Sequence, residues 1–154
     1  MKLLLLKKLF VRPDRKRGRS GVSYLKDDTQ KLKALYDRIE RLMEDKRPYL
    51  DGDFSIEDLS SMVGASRSMT SKALSRIGKT NFRPYINNYR VKHSLQLIKD
   101  EPRMRFSEVA HMSGFNSVPS FNTWFKMVTS SRPSEYLIEL WDKPHPRFFP
   151  RKKE

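Results

Sequence analysis

Two short segments of the sequence carry mostly polar and basic side chains at the three- and four-residue spacing of an exposed helix face. The first segment follows Gly64 and contains Arg67, Ser68, Ser71, Lys72 and Arg76. The second segment follows Gly114 and contains Asn116, Ser117, Val118, Ser120, Thr123 and Lys126. Guanidinium and ammonium groups bind phosphates and guanine, whereas hydroxyl and amide groups bind phosphates or base edges. The chemistry that these segments predict is non-covalent recognition of nucleic acid.

The balance of charge favours a polyanionic partner. Lys and Arg number 32 against 18 Asp and Glu, which gives a formal net charge of +14. A field of that sign attracts nucleic acid or, less often, an anionic membrane surface. Solubility alone is the alternative explanation of the charge.

The residue types needed for catalysis or metal binding do not come together in the sequence. The absence of cysteine excludes disulfides, thiolate metal ligands and cysteine nucleophiles. His93, His111 and His145 fit no metal-ligand spacing, and no glycine-rich phosphate loop occurs. Glu108 and His111 fall on adjacent turns of one helix, but no nucleophile, base and orienting group assemble. We therefore predict a binding protein that is not an enzyme, with no cofactor, metal or small-molecule site.

An internal repeat positions the two segments. Residues 56–64 and 106–114 each place apolar residues first and fourth and a glycine ninth, at an offset of 50. Beyond the glycines, residues 70–86 match residues 121–137 at an offset of 51. One extra residue therefore falls in or beside the turn after Gly114, where an insertion is well tolerated.

Each copy of the repeat predicts a short helix, a glycine-containing turn and a second helix, which is the helix-turn-helix pattern. Gly64 and Gly114 are expected to end the first helices, because glycine adopts the left-handed conformation that caps the last carbonyls at no Cβ cost. Ser66 in the first copy, and Asn116 or Ser117 in the second, are expected to cap the helices that follow.

A long helix from Phe82 to about Lys99 is predicted to join the two copies. Pro84 suits its first turn, where a missing N–H costs nothing. Its apolar side chains are Tyr85, Ile86, Tyr89, Val91, Leu95, Leu97 and Ile98. At 1.5 Å per residue the helix is about 25 Å long. With the bodies of the two small units added, their second helices are expected about 34 Å apart. That distance is one turn of B-DNA and predicts entry into two successive major-groove segments.

The predicted domain organisation has three parts. Residues 1–26 form a basic, mostly disordered arm, and whether it contacts DNA phosphates or is a solvated tail stays open. Residues 27–140 form the DNA-binding domain, with its helix-turn-helix units at about 54–81 and 104–140. Residues 141–154 form an irregular basic tail with three prolines.

A helix from about Asp28 to Lys46 is predicted to precede the repeat, with Asp27 or Asp28 as its N-cap and Pro48 as its stop. Its apolar stripe consists of Leu32, Leu35, Tyr36, Ile39, Leu42 and Met43. Core packing is favoured over a dimer seam, because the stripe is shorter than three heptads. The oligomeric state stays open.

The apolar run near the start, Leu3 to Leu6, is too short for a signal peptide or a membrane span. We predict a cytoplasmic, nucleoid-associated protein. The alternative is that this run and the basic stretch after it are the remnant of a truncated membrane anchor.

Several motifs of the repeat together form a family signature. In the first copy these motifs are Ile56 to Leu59, Gly64 to Ser66, Leu74, and Phe82 to Arg90. In the second copy they are Gly114-Phe115, Phe121, Phe125-Lys126 and Arg132 to Tyr136. Through these motifs the chain resembles the DNA-binding domain of the AraC/XylS family of bacterial regulators, from about residue 32 to 140. The resemblance implies an all-α, seven-helix domain of two homeodomain-like helix-turn-helix units joined by a long central helix. It also implies double-stranded operator or promoter DNA as the partner, RNA polymerase as a further candidate partner, and regulation of transcription.

The resemblance also assigns base-reading positions. Carried over one by one, they are Ser68, Ser71 and Lys72 in the first unit, and Val118, Pro119, Ser120 and Thr123 in the second. The family often has Gln or Arg in the second set, whereas this chain has side chains that make no bidentate base contact. We therefore expect the first unit to read bases, mainly through Arg67 and Lys72, and the second mainly to anchor. Plain exposed helix residues remain the alternative for Ser71 and Thr123.

Three functions compete at this point. A sequence-specific transcription regulator is favoured; a non-specific architectural DNA binder and a protein-interaction module that no longer binds DNA are the alternatives. About fifty residues precede the first helix-turn-helix, which are too few for a sensor domain. The chain is thus either a stand-alone regulator or the C-terminal output domain of a larger, even membrane-anchored, sensor-regulator.

Overall fold

The computed structural model describes residues 22–142, and the side chains of residues 28–142. Within this part of the chain it contains seven α-helices, a short 3-10 helix at Pro48–Leu50, and no strand. The α-helices are α1 (Val22–Lys46), α2 (Ile56–Met62), α3 (Arg67–Arg76), α4 (Phe82–Asp100), α5 (Phe106–Met112), α6 (Val118–Thr129) and α7 (Pro133–Asp142). The prediction of an all-α, seven-helix fold is confirmed.

The chain divides into two compact units, the first ending at Tyr89 and the second beginning at Arg90. The boundary falls inside α4, so this helix contributes its first half to one unit and its second half to the other. Of the two terminal segments, residues 1–21 of the predicted basic arm and residues 143–154 of the predicted tail lie outside the described residues.

Helix α1 begins earlier than its sequence pattern indicated. It starts at Val22, so Asp27 and Asp28 lie inside the helix and the prediction that one of them is the N-cap is wrong. The physical reason is that no glycine or proline occurs between Gly21 and Pro48, so nothing interrupts the backbone ladder at Asp28. The predicted end at Lys46 is confirmed.

The core of the first unit forms around the apolar stripe of α1. Leu32, Leu35, Ile39 and Met43 are buried there, which confirms the core-packing interpretation of the stripe. The other helices of the unit and the first half of α4 contribute Leu59, Val63, Ala73, Leu74, Tyr85 and Ile86. Non-directional burial of these side chains is the main favourable term that holds the unit together.

The core of the second unit is rich in aromatic rings. Phe121 and Phe125 of α6 are fully buried and stack edge to face with ring centroids 5.4 Å apart. Phe125 also meets Tyr136 of α7, at 5.8 Å between centroids. The second half of α4 adds Val91 and Ile98 to the same core.

Hydrogen bonds at the helix starts fix where α2 and α5 begin. The Ser55 hydroxyl accepts from the Asp58 backbone N–H, and the Asp58 carboxylate accepts from the Ser55 N–H, which makes a capping box. Hydrogen bonds from the Ser55 side chain and backbone lower the pKa of Asp58. At the start of α5 the Arg105 N–H donates to the Glu108 carboxylate, which is the bond equivalent to that from the Ser55 N–H to Asp58.

No helix among the described residues is both long and apolar enough to cross a membrane.

Candidate nucleic-acid interface

The turns between the first and second helices have the same construction in both units. Gly64 and Gly114 adopt φ of 62° and 81°, the left-handed conformation predicted for the residues that end α2 and α5. The next residue closes each turn with a backbone bond: Ala65 N–H donates to Ser60 C=O and Phe115 N–H donates to Ala110 C=O, both at 3.0 Å. The two turns therefore share one backbone geometry up to Ala65 and Phe115.

The single-residue insertion of the second repeat is Asn116. Ser66 caps α3 by accepting from the Met69 N–H at 3.2 Å, and Ser117 caps α6 by accepting from the Ser120 N–H at 3.3 Å. The cap thus follows the turn-closing residue directly in the first unit and one residue later in the second. Ser66 and Ser117 are confirmed as caps, and Asn116 is the extra, exposed residue.

The second helix of the first unit, α3, presents a polar and basic face to solvent. Its exposed side chains include Arg67, Ser68, Ser71, Lys72 and Arg76. The opposite face is inserted into the core through Thr70, Ala73 and Leu74, while Met69 and Ile77 pack at its borders. Thr70 is the inward residue that the pattern did not indicate, because a hydroxyl is a weak core signal; it donates to the Ser66 C=O at 3.1 Å.

The first residue of α3 forms an ion pair with α2. Arg67 Nε donates to Glu57 Oε1 at 2.6 Å, with side chains 68% and 62% exposed. Exposed pairs of this kind contribute about 0–1 kcal/mol, so Arg67 can exchange this partner for another anion at little cost. Glu57 accepts from Nε, which leaves the two terminal nitrogens without this partner. In general, the terminal nitrogens of arginine are the donors that suit bidentate binding of guanine or phosphate. The sequence pattern did not indicate Glu57 as a partner, because an exposed helix glutamate gives no sign of a contact ten residues away.

The second helix of the second unit, α6, presents a more neutral face. Asn116, Ser117, Ser120, Thr123 and Lys126 are exposed, as is Pro119. Lys126 is the single basic side chain in α6. The Thr123 hydroxyl donates to the Pro119 C=O at 2.9 Å, so its hydrogen is committed to the backbone and its methyl group remains for apolar contact.

Val118 departs from its predicted outward placement. It is half-buried and packs against the core of the second unit, because α6 begins only three residues after Phe115, which is buried in that core. Of the side chains that the sequence assigned to the second interface, Ser120, Thr123 and Lys126 are exposed on α6, Asn116 and Ser117 are exposed directly before it, and Val118 is half-buried.

Among the described residues, no group of three or more His, Asp or Glu side chains is placed to hold a metal ion. The exposed faces of α3 and α6 therefore offer hydrogen-bond donors, hydroxyl groups and positive charge. These groups bind phosphates and base edges without any covalent step.

Comparison with protein families matches residues 59–138 to a family model described as a helix-turn-helix domain. A curated relative, the TCP pilus virulence regulatory protein of Vibrio cholerae, is 35% identical over 83 residues. The match covers 54% of this chain and 29% of the relative, so the chain spans less than a third of that protein's length.

Solved structures share the fold. A transcriptional regulator with an AraC-type DNA-binding domain from Chromobacterium violaceum superposes with a TM-score of 0.60 at 18% identity, covering 77% of this chain and 99% of that one. The DNA-binding domain of AdpA, a global transcriptional factor solved in complex with a target DNA, gives a TM-score of 0.61 at 18% identity, covering 71% of this chain and 95% of the other.

Proposed function

The chain belongs to the family of AraC-type helix-turn-helix domains, and from this premise we propose that it binds double-stranded DNA in a sequence-specific way and regulates transcription. Each unit presents its second helix to the major groove, where base edges carry a distinct pattern for every base pair.

The observation that carries the proposal is the exposed face of α3. Arg67, Lys72 and Arg76 place three cations on a helix that has a capped N-terminus and a fixed, well-packed inner face. A rigid helix positions its outward side chains more accurately than a loop does. Ser68 and Ser71 lie between the cations and add hydroxyl groups that bind either phosphates or bases.

Selection of bound duplexes from a random pool tests the proposal directly. The full chain is incubated with a randomised duplex library, and the dissociation constants of the enriched site and of a scrambled duplex are then compared at physiological salt. We expect the enriched site to bind at least ~10³-fold more tightly. Equal affinity for both duplexes contradicts sequence-specific binding.

A non-specific architectural binder is the second candidate, and the composition of α6 favours it. Thr123 has its hydroxyl hydrogen bonded to Pro119, and Lys126 is the one cation of that helix. Such a surface supports phosphate contacts that fix the register but discriminates bases weakly. In the selection experiment this candidate predicts binding without enrichment, and a dissociation constant that rises steeply with salt for every duplex.

Regulation of transcription requires its own test. A promoter carrying the enriched site is transcribed in a purified reaction with RNA polymerase, which we propose as a second partner, with and without the chain. A change in transcript level that disappears when the site is scrambled supports regulation through specific binding. Location at the nucleoid, also part of the proposal, predicts that a tagged chain co-localises with chromosomal DNA in cells.

A further inference from the structure

A groove of about 510 Å³ lies in the first unit between α1 and the start of α3. Its lining includes the apolar side chains of Leu35 and Met69 and also Ser66, the cap of α3. Lys31, Arg38 and Arg41 of α1 also line it. The sequence pattern did not predict this groove, because the groove forms only when α1 packs beside α3.

The three cations of the groove share one face of α1. They are separated by seven and three residues, and at 100° per residue all three fall within about 80° of arc. Of the described residues that line the groove, none is acidic. Arg38 and Arg41 are exposed, so their guanidinium groups are available to an anion from solvent. The groove therefore concentrates positive charge where an anionic partner can enter.

The groove adjoins the exposed face of α3. Met69 lies at the border of that face, and Lys72 and Arg76 follow it at three and seven residues, the spacing of one helix edge. Both Lys72 and Arg76 are exposed. The basic side chains Lys72 and Arg76 therefore continue the helix edge of Met69, which lines the groove.

We infer that this groove binds the phosphate backbone of the DNA segment that α3 contacts, with Arg38 and Arg41 as the phosphate-binding residues. The inference rests on the proposed function and adds to it a second, sequence-independent contact surface on α1. Charge complementarity selects this occupant, because duplex DNA carries one negative charge per about 1.7 Å of its axis and the guanidinium group binds phosphate in a bidentate manner. An acidic segment of a protein is the competing occupant.

The test compares two double variants of the full chain. Arg38→Ala/Arg41→Ala removes the two guanidinium groups from the groove. Lys33→Ala/Lys46→Ala removes the same charge from exposed positions of α1 that do not line it. Fluorescence anisotropy measures binding to the enriched site and to a scrambled duplex over a range of salt concentrations.

The groove variant is expected to bind both duplexes about tenfold more weakly, with the slope of log K against log salt reduced by about 1.8, or 0.9 for each lost phosphate contact. Its base preference stays that of the unmodified chain, because phosphate contacts carry no sequence information. The control variant is expected to lose less than half as much of the slope. Arg38→Lys/Arg41→Lys keeps the charge and is expected to restore most of the slope, and circular dichroism verifies that each variant is folded.

Two results overturn the inference. In the first, the groove variant binds both duplexes as tightly as the unmodified chain, which leaves an acidic protein segment as the occupant of the groove. In the second, the groove and control variants lose the same amount of affinity and slope. Either result leaves the proposed function intact, provided that the unmodified chain still distinguishes the enriched site. If the unmodified chain shows no such preference, sequence-specific binding itself fails, and the comparison of variants then reports on backbone binding alone.

Discussion

The hydroxyl group of Tyr85 donates a hydrogen bond to Oε1 of Glu40 across 3.2 Å, although the two residues lie 45 positions apart. Tyr36 and Tyr89 place their hydroxyl groups 2.9 and 3.4 Å from the same carboxylate oxygen. The half-buried carboxylate of α1 is thereby satisfied by three phenols, two of them from α4. Hydrogen bonds to a charged group are stronger than neutral ones, so this cluster ties α1 to the first half of α4.

Removal of one phenol should weaken the first unit. We expect Tyr85→Phe to lower the free energy of unfolding by about 1–2 kcal/mol, because the carboxylate loses a donor while two others remain. Urea denaturation followed by circular dichroism measures the change. Tyr136→Phe in the second unit is the matched control, since its hydroxyl makes no hydrogen bond within the described residues, and it should cost less. Equal losses in the two variants would contradict the role given to Glu40.

The same cluster predicts a loss of stability at alkaline pH. Burial raises the pKa of Tyr85 above its ordinary value, and the Tyr89 and Glu40 side chains add to the shift. The protonated phenol is therefore favoured in the folded state, and its contribution is complete below about pH 10, where the unfolded chain titrates. As the pH rises above 10 toward the folded pKa, the free energy of unfolding should fall by about 1.4 kcal/mol per pH unit for this residue.

Tyrosinate absorbance near 295 nm follows the ionisation of the phenols, and the ellipticity at 222 nm follows the unfolding of the helices in the same titration. We expect the buried phenols to ionise only as the helices unfold. Ionisation of all the tyrosines near pH 10 with the helical signal unchanged would rule out the predicted coupling.

Gly78 is predicted to accept no side chain. A Cβ at this position would lie 2.5 Å from Cε2 of Tyr36 and 2.8 Å from the Leu74 carbonyl oxygen. We expect Gly78→Ala to cost about 1–3 kcal/mol, as overpacking of a filled site does. Gly64→Ala is the comparison: nothing lies within 4 Å of that Cβ, but φ is +62°, so about 1 kcal/mol should come from backbone strain alone. A Tyr36→Ala background should relieve part of the cost at position 78 and none at position 64, and equal relief at both would disprove the clash.

The sequence was sufficient for the elements whose signals are local. Gly64 and Gly114 marked both turns, and Ser66 marked the cap of α3, because each acts through its own backbone. The sequence was insufficient where a tertiary contact decides. In the sequence, Glu40 resembles any exposed helix carboxylate, and only the tertiary structure brings the tyrosines of α4 to it. Likewise, the contact of Glu57 with Arg67 exists only because the turn places α2 and α3 side by side.

The second unit contains a buried hydroxyl group that substitution should improve. Ser113 is fully buried, and its Oγ has no hydrogen-bond partner among residues 28–142, whereas the repeat places the buried Val63 at the equivalent position of the first unit. We expect Ser113→Ala to leave the free energy of unfolding unchanged or to raise it by up to about 1 kcal/mol, because an unsatisfied polar group is removed from the core. Thermal melting measures the effect.

Ser94→Ala is the matched control for that substitution. Ser94 is equally buried, but its hydroxyl donates to the Val91 C=O at 2.7 Å. Its loss should therefore destabilise the chain by about 1 kcal/mol. Destabilisation of the same size in both variants would mean that Ser113 has a partner in solution.

The two recognition helices should differ in what they contribute to DNA binding. Lys72 is exposed on α3 beside Ser71, and an ammonium group in the major groove binds guanine O6 and N7. We expect Lys72→Ala to weaken binding to the enriched site by about 1–3 kcal/mol and to relax the base preference at one position of that site. Thr123→Val on α6, which keeps the methyl group, should leave the base preference unchanged, because the Thr123 hydroxyl hydrogen is bonded to the Pro119 carbonyl. Randomised-site selection with each variant measures both effects, and an unaltered preference in the Lys72 variant would remove that residue from the base-reading set.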